Sequence, residues 1–242
     1  MPNNYFQFKQ FTVYQDRCAL KVSTDSCVFG AWIAKKTALS QHHINRCLDI
    51  GAGTGLLMLM MAQQFAGNIQ GVEIDKASYE QATENLKSSP WAHRLQLFHN
   101  DIKLFHSAQQ YDLIISNPPF FEGDLKSVNT RYNFAKHNDG LSLQDLLEVV
   151  NKNLSPNGSF AVLLPYHRME WFQQLAASSY ELFVNETLLM RQSLQHPHFR
   201  AVLILQRSKS SSIKKEELVI RRSADVYSFG FIQLLKDYYL HL

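Results

Sequence analysis

Apolar and polar positions along the chain alternate between two rhythms. Arg46 to Ile50 is a short apolar run that ends in glycines, which reads as a buried strand. Gly55 to Ala66 is apolar on nearly every side, which predicts a helix packed on a sheet. Ile69 to Ile74 is the next strand. Lys76 to Ser88 reads as a helix, with Ala77, Tyr79, Ala82 and Leu86 on or near one face. Arg94 to His99 and Tyr111 to Ser116 are two further strands. Strands alternating with helices predict a parallel sheet covered on both faces.

The rhythm stops at residue 117 and resumes at 141. Asn117 to Gly140 is polar and aromatic without a period, and a loop of that length in a compact domain is usually functional. Ser142 is placed to cap a helix through Leu154. Pro156-Asn157-Gly158 reads as a turn, Ser159 to Leu164 as a strand and His167 to Ser178 as a helix. Tyr180 to Met190 and Phe199 to Gln206 fit an antiparallel pair at the sheet edge. Leu218 to Arg222 fits a short extra strand, Asp225 to Tyr239 a final amphipathic helix, and Ser208 to Ser212 a flexible tip. Ahead of the first sheet strand, Phe11 to Gln15 and Ala19 to Val22 resemble a small hairpin, and Ser23 or Thr24 can cap a helix running to Lys35. The expected organisation is an N-terminal extension (1–45) and a catalytic domain (46–242). The latter contains a substrate loop at 117–140 and a basic edge segment at 191–222.

Composition excludes some classes. With 242 residues, 45% of them apolar and 19% charged, the chain is globular rather than disordered. Its longest apolar run, Leu56 to Ala62, falls well short of the roughly 20 residues a membrane span needs. Met1 to Asn4 offers neither a basic patch nor an apolar stretch, so no signal peptide is expected. Three widely spaced cysteines provide neither a disulfide framework nor zinc-ligand spacing, so a cytoplasmic home and no metal are expected. His196-Pro197-His198 has no third ligand at a suitable spacing and reads as a turn. The formal charge is only +3, yet residues 191–222 carry eight basic and two acidic groups. A basic stripe on a mildly acidic body favours a polyanionic partner.

Candidate chemistry begins at Asp49-Ile50-Gly51-Ala52-Gly53-Thr54-Gly55, between a strand and a helix. Glycines there allow a sharp turn and close approach of a ligand. A dinucleotide loop of the form G-x-G-x-x-G would place its third glycine at position 56, which is Leu56. The spacing here is G-x-G-x-G, with an acid beside it. That combination is awkward for a pyrophosphate and suits a ligand with a cationic end, favouring S-adenosylmethionine. Glu73 ends the next strand, where an acid about 20 residues beyond the loop accepts ribose hydroxyls. Asp101 follows the third strand and can accept from an adenine amino group.

Asn117-Pro118-Pro119-Phe120 follows the fourth strand directly. The prolines hold the neighbouring carbonyls rigid. Asn117 Oδ1 and the Pro118 carbonyl are therefore candidates to accept both hydrogens of one planar NH2 group, and Phe120 to stack on a base. The glycine loop together with this segment resembles the class I methyltransferases that act on exocyclic or amide nitrogens. Lys21-Val22-Ser23-Thr24-Asp25-Ser26, followed by Gly30-Ala31-Trp32, and the tail Tyr227-Ser228 with Leu234 to Tyr239 narrow the likeness. Those stretches resemble the bacterial tRNA1(Val) (adenine-37-N6)-methyltransferase family, across about Phe6 to Tyr239. In that family Gly often stands where this chain has Ser23 and Ser26.

The resemblance implies an α/β, Rossmann-like class I methyltransferase fold: a seven-stranded, mostly parallel sheet with one antiparallel strand and helices on both faces. It assigns the cofactor to Lys21, Thr24, Asp25, Asp49, Gly51, Gly53, Glu73, Asp101 and Asn117, with Gly55, Ile74 and Ile102 beside them. It implies catalysis by Asn117, Pro118 and Phe120 on an anticodon-loop adenine of a tRNA, with no dedicated base nominated. In the aperiodic loop, Phe121, Arg131, Lys136 and His137 are candidates for the RNA, because cations interleaved with aromatics suit single-stranded nucleic acid. Three alternatives stay open: an N5-glutamine methyltransferase acting on a release factor, a DNA or ribosomal RNA adenine methyltransferase, and a cofactor-binding RNA module without activity.

Overall fold

The computed structural model describes residues 3–39, 44–119 and 140–242. Strands β3 (Arg46–Ile50), β4 (Asn68–Glu73), β5 (Leu95–His99), β6 (Tyr111–Ser116) and β7 (Leu154–Pro165) run parallel. β8 (Phe183–Arg191) and β9 (His198–Gln206) follow, and β10 (Lys214–Val219) closes the edge. The sheet order is β10-β8-β9-β7-β6-β3-β4-β5, with β9 antiparallel to both neighbours. The main sheet thus has eight strands where the resemblance implied seven. The extra strand is β10, at Lys214–Val219 rather than the expected Leu218 to Arg222; it pairs in parallel with the outer edge of β8, so that β10 and not the β8/β9 pair forms the sheet edge.

Helices α1 (Thr24–Ala38) and α2 (Leu56–Ala62) share an apolar core with one face of the sheet. All seven α2 residues are buried. α1 and α2 meet at Gly30, where a Cβ would stand 2.7 Å from Met60 Sδ and 3.1 Å from its Cβ, so a larger residue requires Met60 to shift. The other face is covered by α4 (Leu143–Asn153) and α5 (Met169–Tyr180). α3 (Lys76–Lys87) begins at its Asp75 cap, and α4 begins at a capping box made by Ser142 and Asp145. No helix among the described residues is long and apolar enough to cross a membrane.

Three local expectations change. The N-terminal hairpin pairs β1 (Tyr5–Gln7) with β2 (Thr12–Tyr14), not Phe11–Gln15 with Ala19–Val22. Residues 19–22 form no strand, because Gln15 Oε1 accepts from Val22 N at 2.8 Å and replaces a ladder bond with a side chain. The last helix, α6 (Phe229–Leu235), is shorter than expected. Val226–Tyr227 (β12) pairs with Arg221–Ser223 (β11), and Ser228 caps the helix only after them. At its far end Tyr238 turns inward to donate to Met60 O at 3.1 Å. Finally, Pro156-Asn157-Gly158 lies within β7, looped out as an irregularity between Tyr111↔Leu154 and Leu113↔Ser159.

Candidate active site

Parallel strands end together, so the loops after β3, β4, β5 and β6 collect at one sheet edge, where open α/β sheets bind ligands. Register sets the detail. Ile50 pairs with Ser116, so Gly51 and Asn117 leave adjacent strands side by side. Ser116 Oγ ties the two together by donating to Ile50 O at 2.9 Å.

The glycine loop is held open by its backbone. Gly51, Gly53 and Gly55 all adopt positive φ, at 75°, 55° and 78°. At Gly51 and Gly53 a Cβ would meet nothing within 4 Å, so the requirement there is conformational, with free space on the side-chain face. Gly53 N donates to Glu73 Oε2 and Asp75 N to Glu73 Oε1, both at 2.8 Å. Each Glu73 oxygen keeps a second lone pair, which leaves room for two hydroxyl donors. Burial raises the Glu73 carboxyl above its ordinary value.

Asp49 is fully buried, and neither carboxylate oxygen has a hydrogen-bond partner among the described residues. Burial first, and the nearby Glu73 charge second, push it up to about 8. A buried acceptor pair without donors is costly unless a ligand brings them. Asp101 Oδ1 caps its own turn by accepting from Lys103 N at 2.8 Å, beside the buried Ile102. Ile74 is exposed, and His99, stacked on Tyr79, contacts its carbonyl at 3.1 Å.

On the opposite wall, the first turn of α1 brings Ser23, Asp25 and Ser26 against Asn117. Asn117 Nδ2 donates to Ser26 Oγ at 2.9 Å, whereas Asn117 Oδ1 is buried without a partner among the described residues. Pro118 is buried and Lys21 and Thr24 are exposed. Asp25 has both oxygens engaged: Ser23 Oγ and Ser26 N donate to Oδ1, and Arg200 Nε to Oδ2 at 2.8 Å. Phe120, Phe121, Arg131, Lys136 and His137 lie outside the described residues.

The basic segment is not one patch. Arg191, Arg200, Arg221 and Arg222 lie toward the site edge of the sheet. Arg207, Lys209, Lys214 and Lys215 lie toward the opposite edge. Arg200 and Arg207 are separated by about 23 Å of extended strand. Near the site, Glu217 accepts from Arg191 Nη2 at 2.9 Å and contacts His198 Nε2 at 2.7 Å. Sequence reasoning missed the Asp25–Arg200 pair because its members are 175 residues apart. No group of three or more possible metal ligands occurs among the described residues.

Two orphaned buried acceptors, a φ-positive glycine turn and a strand-end glutamate fit S-adenosylmethionine, whose ammonium, ribose hydroxyls and adenine amine bring donors and positive charge. Comparison with known proteins points the same way. Residues 35–168 match the model of the methyltransferase small domain. A Bacteroides fragilis protein named tRNA1(Val) (adenine(37)-N6)-methyltransferase is 38% identical over 245 residues, covering 100% of both chains. A Phocaeicola vulgatus protein of the same name is 39% identical over 243 residues, again covering 100% of both. In fold, the chain resembles the crystal structure of a predicted O-methyltransferase from Agrobacterium tumefaciens, with a TM-score of 0.63, 14% identity and coverage of 87% of this chain and 95% of that one. The chain therefore belongs to the tRNA1(Val) (adenine(37)-N6)-methyltransferase family, as an S-adenosylmethionine-dependent methyltransferase built on the methyltransferase small domain.

Proposed function

We propose that the protein methylates the N6 amino group of the adenine next to the anticodon of a valine tRNA, binding the anticodon stem-loop in the cytoplasm. The observation that carries this reading is Asn117 Oδ1, a buried acceptor with no donor among the described residues, on the residue that leaves β6 beside the glycine loop. An exocyclic NH2 supplies the missing donor. The names of full-length relatives favour tRNA over a release-factor glutamine, DNA or ribosomal RNA.

Bound in the site, S-adenosylmethionine supplies an electrophilic methyl group on a sulfonium that leaves as a neutral thioether. Asp49 receives the positive end of that ligand, and Glu73 its ribose hydroxyls. Gly51, Gly53 and Gly55 keep the floor open. Asp101, with Ile74 and Ile102, borders the adenine, and Lys21 and Thr24 close the α1 side next to Asp25. Asn117 Oδ1 and the Pro118 carbonyl accept the two substrate N–H groups. They turn the nitrogen lone pair toward the methyl group and hold its protons until solvent removes one. Phe120 and Phe121 stack on the unstacked base, and Arg131, Lys136 and His137 hold neighbouring phosphates. The extension (1–45) and the 117–140 loop then act with the catalytic domain (46–242) in choosing the substrate.

Labelled methyl transfer onto bulk tRNA from a strain lacking the gene, followed by nucleoside analysis, tests the proposal. N6-methyladenosine in a valine tRNA is the expected product. Label in protein or DNA refutes the substrate.

A further inference from the structure

We propose that Ser23 and Ser26 form a one-way hydrogen-bond relay, anchored by the Asp25–Arg200 ion pair, that fixes which way round the Asn117 amide stands. The inference rests on the amino-nitrogen chemistry proposed above and deepens it by naming what sets the polarity of the acceptor.

An Asn amide is nearly symmetric in shape. Its oxygen and its NH2 exchange places on a half-turn about the last side-chain bond, so packing alone does not choose between them. The chemistry does distinguish them. Oxygen outward accepts from a substrate NH2, whereas NH2 outward meets that group donor to donor. The choice must therefore come from hydrogen bonding behind the amide.

Asn117 Nδ2 lies 2.9 Å from Ser26 Oγ. A hydroxyl can donate or accept, so this contact by itself permits either orientation. The next links remove the freedom. Ser26 Oγ is 2.7 Å from Ser23 Oγ, and Ser23 Oγ is hydrogen-bonded to Asp25 Oδ1. A carboxylate has no proton to give, so Ser23 donates there and its single proton is engaged. Ser26 must then donate to Ser23. Only lone pairs of Ser26 face Asn117, and they accept from NH2 alone. A reversed amide would place two oxygens face to face.

Asp25 is held as the end of the relay by Arg200 Nε at 2.8 Å and by Ser26 N at 3.1 Å. Ser26 is only 7% exposed, so bulk water does not compete for its hydroxyl. The relay crosses from β9 through the first turn of α1 to the end of β6. Its product is the observed arrangement, with Asn117 Oδ1 buried and turned away from Ser26, without a partner among the described residues. Ser23 and Ser26 are thus positioning residues acting through Asn117.

The test compares Ser26→Ala, Ser26→Thr and Asp25→Asn with the native chain. It measures kcat on a valine tRNA transcript, the Kd for S-adenosylmethionine by calorimetry, and the side-chain amide NMR signals of Asn117. Ser26→Ala is expected to lower kcat about tenfold, as loss of one orienting hydrogen bond implies, with the cofactor Kd within about twofold. Thr, which keeps the hydroxyl, is expected to restore kcat to within about threefold of native, since its acceptor lone pairs remain. In Asp25→Asn the new NH2 can donate to Ser23, letting the relay run backwards, so kcat falls there too. One Asn117 amide proton should exchange slowly in the native chain and lose that protection in Ser26→Ala. A native kcat in Ser26→Ala overturns the relay, as does a loss confined to the cofactor Kd or an amide signal indifferent to the substitution. Failure of the native protein to methylate tRNA refutes the proposed function instead, and the amide signals still decide the relay.

Discussion

Replacing Asp49 by Asn should make the cofactor-free protein more stable and a poorer binder of its cofactor. Asp49 is fully buried with no donor to either oxygen among the described residues, and its carboxyl is pushed from an ordinary 3.8 up to about 8. The folded protein therefore keeps this proton up to about pH 8, whereas the unfolded chain loses it near pH 4. Between those values the native state binds more protons, so stability falls as pH rises and levels off above about 8. Four pH units at about 1.4 kcal/mol each set a ceiling of ~6 kcal/mol on the penalty, and relaxation of the site brings it to about 2–5 kcal/mol. For a chain of this length that corresponds to roughly 5–15 °C in Tm. Glu73, also raised, adds a slope of the same sign to native and variant alike. Calorimetric melts of both proteins without cofactor, from pH 4 to 9, should show curves that nearly meet at pH 4 and diverge toward pH 8 with Asp49→Asn on top. The same variant should bind S-adenosylmethionine about 10–100-fold more weakly, because a charge-assisted contact is lost. Parallel melting profiles across the pH range would refute the assignment of Asp49 as a buried acceptor awaiting its ligand.

Three further outcomes are expected. Asn117→Ala should leave the Kd for S-adenosylmethionine within about threefold and reduce methyl transfer to background, a loss of at least ~10²-fold; a variant that turns over at the native rate removes Asn117 from the chemistry. Gly53→Ala forces an alanine into φ 55°, which costs roughly 1–2 kcal/mol and pulls the loop off Glu73; calorimetry should find cofactor affinity down about tenfold, and unchanged affinity would show that the turn tolerates a side chain. Neutralising Arg131 and Lys136 together should weaken tRNA binding and reduce the slope of log K against log salt by up to about two; an unaltered slope moves the RNA contacts elsewhere.

Much of the catalytic sheet was legible in the chain because its signals are local. Arg46–Ile50 and Tyr111–Ser116 are bounded by glycines and by Asn-Pro-Pro, and both strands have those limits in the fold. Ser142 likewise announces its helix with a capping box that spans four residues. What the sequence hid depends on partners far away. The eighth strand, Lys214–Val219, carries exposed charges at its first four positions and becomes a strand where β8 offers it an edge. Residues 19–22 look like strand, yet a glutamine side chain takes their ladder bond. Ser23 read as a possible helix cap and Ser26 only as a departure from glycine, since their further geometry depends on Asn117, 91 residues from Ser26, and on Arg200, 175 residues from Asp25. Charge behaved similarly. The excess in 191–222 is real as a sum, but strand direction sends half of it to each edge of the sheet.

Helix α1 has a consequence for the order in which the molecule assembles. Its Trp32 Nε1 reaches Glu216 at 3.1 Å, its Lys36 bonds Glu186 at 2.5 Å, and its Asp25 takes Arg200. Each partner is synthesised 150 or more residues later. At ~5–20 residues per second, the ribosome delivers the last of these about 10–40 s after α1 itself. The strands β3 to β6 have nearer partners and can associate first, but the wall that orients Asn117 waits for the edge hairpin. The wall that orients Asn117 is therefore complete only once chain made 150 or more residues after α1 has joined the sheet.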